Sequence, residues 1–103
     1  MKIKSIELTH LDVPFTAHTD LHMKYWLPHW RIVQICRLTL ENGVVGFGET
    51  MVYYTWGDET TSDASKAQVI GKHPAENMWD DELGAGLQIA LMDAAAKAAD
   101  CPL

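Results

Sequence analysis

Hydrophobic and polar residues alternate over the first fifteen positions, but the alternation changes face part-way. Ile6 and Leu8 share one parity, whereas Leu11, Val13 and Phe15 occupy the other. A strand over residues 3–15 with a bulge near Thr9 and His10 accounts for the slip, because one extra residue sends every later side chain to the opposite face. Pro14 donates no ladder hydrogen bond, so this strand lies at a sheet edge or ends there.

Arg31 to Leu40 (RIVQICRLTL) is rich in β-branched and apolar residues, with Ile32, Cys36, Leu38 and Leu40 on one parity. It predicts a strand over 31–41. Glu41-Asn42-Gly43 then leads into a third strand over 44–50. Asn-Gly between two β-rich runs predicts a hairpin closed by a type I′ turn, with φ > 0 at both central residues. Gly46 and Gly48 share a parity of the third strand, so another element approaches that face closely.

After residue 60 the period becomes helical. Thr61-Ser62-Asp63 offers caps for a helix over 63–71, stopped at Gly71. Pro74 opens a second over 74–82, proline being suited to a first helical position. The strongest helical pattern covers 85–99: Leu87, Ala90, Leu91, Ala94 and Ala98 fall on one seam, Ile89 and Met92 broaden it, and Pro102 ends it. Asp93 and Lys97 form an i,i+4 pair in the favoured acid-first order. The pattern predicts one α+β domain over 1–103, a three-stranded antiparallel meander sheet followed by a C-terminal helical layer.

Composition narrows the function classes. Hydrophobic residues make up 48% and charged residues 21% of the 103, as in ordinary globular domains. A formal net charge of −6, with eight scattered basic residues, argues against nucleic acid as a partner. No apolar run approaches the roughly 20 residues of a membrane span. Glu7, His10 and Asp12 interrupt any signal-peptide core. Cys36 and Cys101 are too few for a disulfide framework and read as free thiols, which points to the cytoplasm.

Two connections stand out. Residues 16–30 form a loop too long to be ordinary in so small a domain, and it carries His18, His22, Tyr25, Trp26, His29 and Trp30. Residues 50–60 carry Tyr53, Tyr54 and Trp56. Six of the nine aromatic residues thus fall in connections, and such segments are ordered against something. One loop enters the second strand and the other leaves the third, so the hairpin brings them to one end of the sheet. His18, His22, Tyr25, Trp26, Tyr53, Tyr54 and Trp56 are the candidate substrate-binding residues; the alternative is that these rings fold back as a small satellite core. His18 and His22 at i,i+4, with His29, raise a metal site, but the flanking residues predict no helix and a third ligand is unclear. Glu49 is a candidate base or a surface carboxylate. No catalytic set is evident within the chain, and no metal site is assigned to it.

Three segments in order and spacing resemble the N-terminal domain of the enolase superfamily, in its mandelate racemase and muconate-lactonizing branch. They are Met1-Lys2-Ile3-Lys4-Ser5-Ile6-Glu7, the hairpin from Leu38 to Glu49 (LTLENGVVGFGE, similar to V-x-T-x-x-G-x-x-G-x-G-E), and Ile89 to Leu103 (IALMDAAAKAADCPL, similar to A-L-W-D-x-x-G-K-x-x-G-x-P-L). Met92 stands for the usual Trp, Ala96 for a frequent Gly and Asp100 for a second Gly, which leaves the subfamily open.

The resemblance implies a capping domain over a C-terminal β/α barrel, in an enzyme that is homo-oligomeric when intact. There the barrel supplies the carboxylates that hold Mg2+ and the Lys or His bases, which abstract a proton α to a carboxylate. The capping loops, here 16–30 and 50–60, enclose and select a small carboxylate substrate. The family's metal ligands and bases would lie beyond Leu103, so the chain alone is expected to be inert. Dehydration of an acid sugar fits the histidines and amphipathic rings best; racemisation, epimerisation and cycloisomerisation stay open. The competing expectation is a free-standing binding or dimerisation module that reuses the fold.

Overall fold

Three strands, β1 (Ile3–Asp12), β2 (Ile32–Leu40) and β3 (Val45–Met51), pair antiparallel in the order β1-β2-β3. The computed structural model describes residues 1–19, 23, 28–54, 57, 58 and 60–100, with the backbone alone at 28, 29, 54, 57 and 58. Register places His10, Gln34 and Thr50 in one row across the sheet, Leu8, Cys36 and Gly48 in the next, and Ile6, Leu38 and Gly46 in a third. All three rows point to the face that the helices cover.

The bulge in β1 is not at Thr9 and His10. Those residues pair in unbroken register with Ile35 and Gln34, and the shift lies between Ile3 and Ser5. The reason is burial. Every β1 residue from Thr9 onward is exposed, so hydrophobic parity there says nothing about the core face. At the other end Ile3 is 2% exposed, and the extra residue at Lys4 lets it join Ile6 and Leu8 on one face. The strand ends at Asp12 rather than Phe15. The N–H of Val13 makes one last bond to the carbonyl of Arg31 (2.8 Å) before Pro14.

The hairpin forms, but not with a type I′ turn. Leu40 and Val44 pair through Leu40 N–H (2.8 Å), leaving three residues in the loop, and Gly43 N–H closes on the Leu40 carbonyl (3.0 Å). Only Gly43 takes positive φ, at 92°. Asn42 instead uses its side chain, whose Oδ1 accepts from Val44 N–H at 3.2 Å. That is the other common hairpin solution, a turn followed by a single positive-φ residue.

Helix α1 (Asp63–Val69) begins at Ser62, whose hydroxyl accepts from Ser65 N–H at 3.1 Å. It stops ahead of Gly71, at φ 82°. Gly71 and Lys72 then bond to both backbone groups of Ile3, covering the first residue of the β1 edge. The helix expected over 74–82 is instead two single 3-10 turns, Pro74–Glu76 and Asp81–Leu83. Each turn opens on its own side-chain cap: His73 Nδ1 accepts from Ala75 N–H, and Asp80 Oδ1 takes Glu82 N–H, which a continuous helix would have bonded internally, both at 3.0 Å. Asp80 therefore starts a new cap where a longer helix would have continued.

Helix α2 (Ala85–Ala98) seats Gly86, Leu87, Ala90, Leu91 and Ala94 against β3 and β2. With Ile3, Cys36, Leu38, Leu40, Val69 and Leu83 they form the core. The two strand glycines permit this. A Cβ on Gly46 would lie 2.7 Å from Ala94 N, and one on Gly48 2.7 Å from Ala90 N and against the Gly86 carbonyl. Ile89, at 44% exposed, lies outside the core.

The i,i+4 pair on α2 reaches further than its own helix. Lys97 Nζ meets Asp93 Oδ2 at 2.8 Å and also donates to the Val45 carbonyl at 2.8 Å. Phe47 N–H donates to Asp93 Oδ2 at 2.9 Å, and Lys97 Nζ stands 5.5 Å from the centre of the Phe47 ring. Two side chains thus satisfy the outward backbone groups of an edge strand. Desolvation raises the Asp93 carboxyl pKa, but the Lys97 and Phe47 hydrogen bonds and the Lys97 charge outweigh it and hold the pKa below its ordinary value. Burial, opposed in part by Lys66, pushes the Cys36 thiol up to about 11, so it is protonated and inert at neutral pH. Among the described residues no helix is long and apolar enough to cross a membrane.

The seating of α2 and its charged pair can each be tested. Gly48→Ala forces α2 off the sheet and lowers unfolding free energy by about 1–3 kcal/mol, read by urea denaturation; unchanged stability would mean that the helix is not seated on this strand. Asp93→Ala destabilises by about 1–3 kcal/mol at neutral pH through lost charged hydrogen bonds. A carboxyl with a depressed folded pKa stabilises above its unfolded pKa and loses that contribution as pH falls through the folded one. The gap between variant and parent should therefore close in acid, and a gap independent of pH would contradict the assignment.

Candidate functional site

Both aromatic loops are rooted on β2. The first leaves β1 at Asp12, whose Oδ1 accepts from Arg31 Nε at 3.0 Å. Together with the Val13–Arg31 backbone bond this pair closes the loop's base. The backbone at 17–19 and at 23 is helical, where the sequence predicted no period. Thr16 Oγ1 donates to Thr19 Oγ1 at 3.0 Å across the first stretch. The loop ends in a 3-10 turn, Pro28–Arg31, that runs straight into β2.

The second loop leaves β3 at Met51. Val52 N–H reaches the Ile32 carbonyl at 3.4 Å, and Val52 is buried. Strand β4 (Tyr53–Tyr54) then pairs with β5 (Gly57–Asp58), Tyr53 opposite Asp58 and Tyr54 opposite Gly57. Strand β4 lies beside the Pro28–Arg31 turn, so the described parts of the two loops meet at one end of the sheet.

Of the candidate site residues, His18 is exposed on the helical stretch and Tyr53 is 37% exposed beside the other loop. Tyr54 is described by its backbone only. His22, Tyr25, Trp26 and Trp56 lie outside the described residues, as does Cys101. Among the described residues no three His, Cys, Asp or Glu side chains are grouped as a metal site requires. Glu49 stands opposite Ile35 and is exposed, on the sheet face away from the helices. With Ile35, Phe47, Gly48 and Ile89 it borders a shallow depression of about 350 Å3. An apolar groove of about 390 Å3 lies at the opposite end of the domain from the loops, between Met78, Trp79 and the last turns of α2.

One cluster was not anticipated. Gln34 is 4% exposed; its Oε1 accepts from Thr61 N–H at 3.1 Å and its Nε2 meets His10 Nε2 at 3.0 Å. Thr50, beside Gln34 in the sheet, and Thr61 are also buried, and among the described residues their hydroxyls have no partner; nor does the buried Nε1 of Trp30. The signal was present in the sequence: Gln34 interrupts the apolar parity of Ile32, Cys36, Leu38 and Leu40. A lone polar residue on a core face requires buried partners.

No family model and no curated protein matches the sequence. A solved structure does: a protein from Labrenzia alexandrii DFL-11 assigned as a mandelate racemase/muconate lactonizing enzyme superposes with a TM-score of 0.56 over 96% of this chain, at 18% identity. The two share a fold. The chain spans 28% of the length of that protein. The shared fold is the α+β arrangement of meander sheet and helices that the hairpin and α2 patterns predicted.

Proposed function

We propose that this chain is the capping domain of an enzyme of the enolase superfamily, in the mandelate racemase and muconate-lactonizing branch. The observation that carries the reading is the fold likeness, which takes in nearly all of this chain and about a quarter of the other protein. The hairpin and α2 segments that resemble the family support it, since Gly46, Gly48, Asp93 and Lys97 act together in seating the helix and closing the strand edge. In this reading the partner is a β/α barrel, and Mg2+ is held by the barrel's carboxylates. When bound, the metal would stabilise the negative charge that develops when a proton α to a carboxylate is removed.

The part played by this chain is enclosure. Two loops rooted on adjacent strands descend together over a barrel mouth, exclude water and present His18, His22, Tyr25, Trp26, Tyr53, Tyr54 and Trp56 to a small carboxylate substrate. Imidazoles and rings with polar tips match a hydroxylated acid, so dehydration of an acid sugar is the favoured reaction.

The gene beyond codon 103 tests the assignment. A barrel-sized continuation with three grouped carboxylates and a Lys or His base supports it. A stop codon there, with the chain a stable monodisperse domain, overturns it in favour of a free-standing binding module. In the intact enzyme, screening of acid sugars and dipeptides identifies the substrate. Tyr53→Ala or Trp26→Ala should then lower kcat/KM by about tenfold or more; activity unaffected by either removes these rings from the site.

A further inference from the structure

The string His10–Gln34–Thr61 runs from the exposed strand β1, through a buried side chain on β2, to the far root of the second loop. Each link constrains the next. Thr61 contributes a backbone N–H, which can only donate, so the group of Gln34 facing it must be the carbonyl oxygen. The amide's other end, which faces His10, is therefore the NH2 group, again a donor. The His10 Nε2 at 3.0 Å must then accept, which requires a neutral ring carrying its proton on Nδ1.

We propose that this string is a proton-operated latch on the second loop. With His10 neutral, Gln34 is held from both sides and fixes Thr61, the residue that returns the loop to the helical layer. Protonation places a donor against a donor. The amide then turns over, giving its oxygen to the imidazolium and releasing Thr61 N–H. Thr50, paired with Gln34 in the sheet, and Thr61 both carry buried hydroxyls without a partner among the described residues, so the amide turns within a polar pocket.

Among the described residues, the charged groups around His10 do not supply a competing acceptor. Asp12, next along the same face of β1, is bonded to Arg31. On β2, Gln34 is flanked by Ile32 and Cys36, both uncharged. Residues 60 and 61 are threonines. Lys66 of α1 acts on Cys36 and is paired with Asp63 at 3.1 Å. The latch holds while the imidazole is neutral and opens when the ring takes a second proton.

The other root of the loop does not share this dependence, because Val52 is tied to Ile32 by backbone alone. Acid should therefore free the Thr61 end and leave the Val52 end in place. The consequence for substrate closure rests on the capping assignment; the latch itself does not. It is read on the chain without substrate, so its failure is distinct from failure of that assignment.

Nitrogen-15 NMR should find the His10 ring as the Nδ1–H tautomer at about pH 8. The hydrogen-exchange protection factor of the Thr61 amide should fall about tenfold between about pH 8 and about pH 5, as expected for one lost hydrogen bond. That of Val52 should not change. In His10→Gln, whose side-chain oxygen reaches the place of Nε2 and accepts without titrating, Thr61 protection should be the same at both pH values. An Nε2–H tautomer in the parent, or Thr61 protection that does not depend on pH, overturns the proposal. So does the same loss of protection in His10→Gln.

Discussion

Everything in this domain is arranged around the close seating of α2 on β3. Glycines at 46 and 48 remove the side chains that would hold a helix at ordinary distance, and Gly86, Ala90 and Ala94 are small on the facing side. Backbone meets backbone, and the larger core residues, Leu38, Leu40, Leu87 and Leu91, fill the space to the side. A helix this close can also serve the strand's outward hydrogen-bonding groups, which Asp93 and Lys97 do from one turn apart. The glycine pair and the charged pair are thus one structural device read from two places in the chain.

That device has a consequence for the loops. With α2 fixed on β3, the strand's last residues are rigid, and the second loop starts from a defined point. Strand β2 lies between both loops and receives their anchors: Arg31 and Ile32 for the entrances, Gln34 for the return at Thr61. The scaffold therefore sets where the loops begin and end while leaving their tips to sequence. Loops held at fixed roots on a rigid scaffold are where binding residues commonly sit.

The two sheet edges are treated differently. On the β3 edge, side chains of α2 take the Val45 carbonyl and the Phe47 N–H, whereas at β1 the backbone of segment 71–72 takes both groups of Ile3. The bulge at Lys4 belongs to the same junction. It turns Ile3 into the core and lets the chain after α1 bond across the strand end, so one irregularity serves packing and edge protection together.

What the sequence determined by itself was whatever depends on neighbours in the chain or on a strict period. The hairpin at Asn42-Gly43, the cap at Ser62, the stop before Gly71 and the apolar seam of α2 are of this kind. The close approach over Gly46 and Gly48 was legible too, because two glycines on one parity leave a bare strip of backbone that a neighbouring element must cover. Tertiary structure decided the rest. The bulge moved to Lys4 because only burial of Ile3 makes parity meaningful there. The turn kept Asn42 out of positive φ because its side chain capped Val44 instead. The 74–82 helix broke because the Asp80 side chain took the Glu82 N–H that would have extended it. Gln34 became a junction because strands and loop remote in sequence converge on it. Those choices rest on burial and partner geometry, which no local pattern encodes.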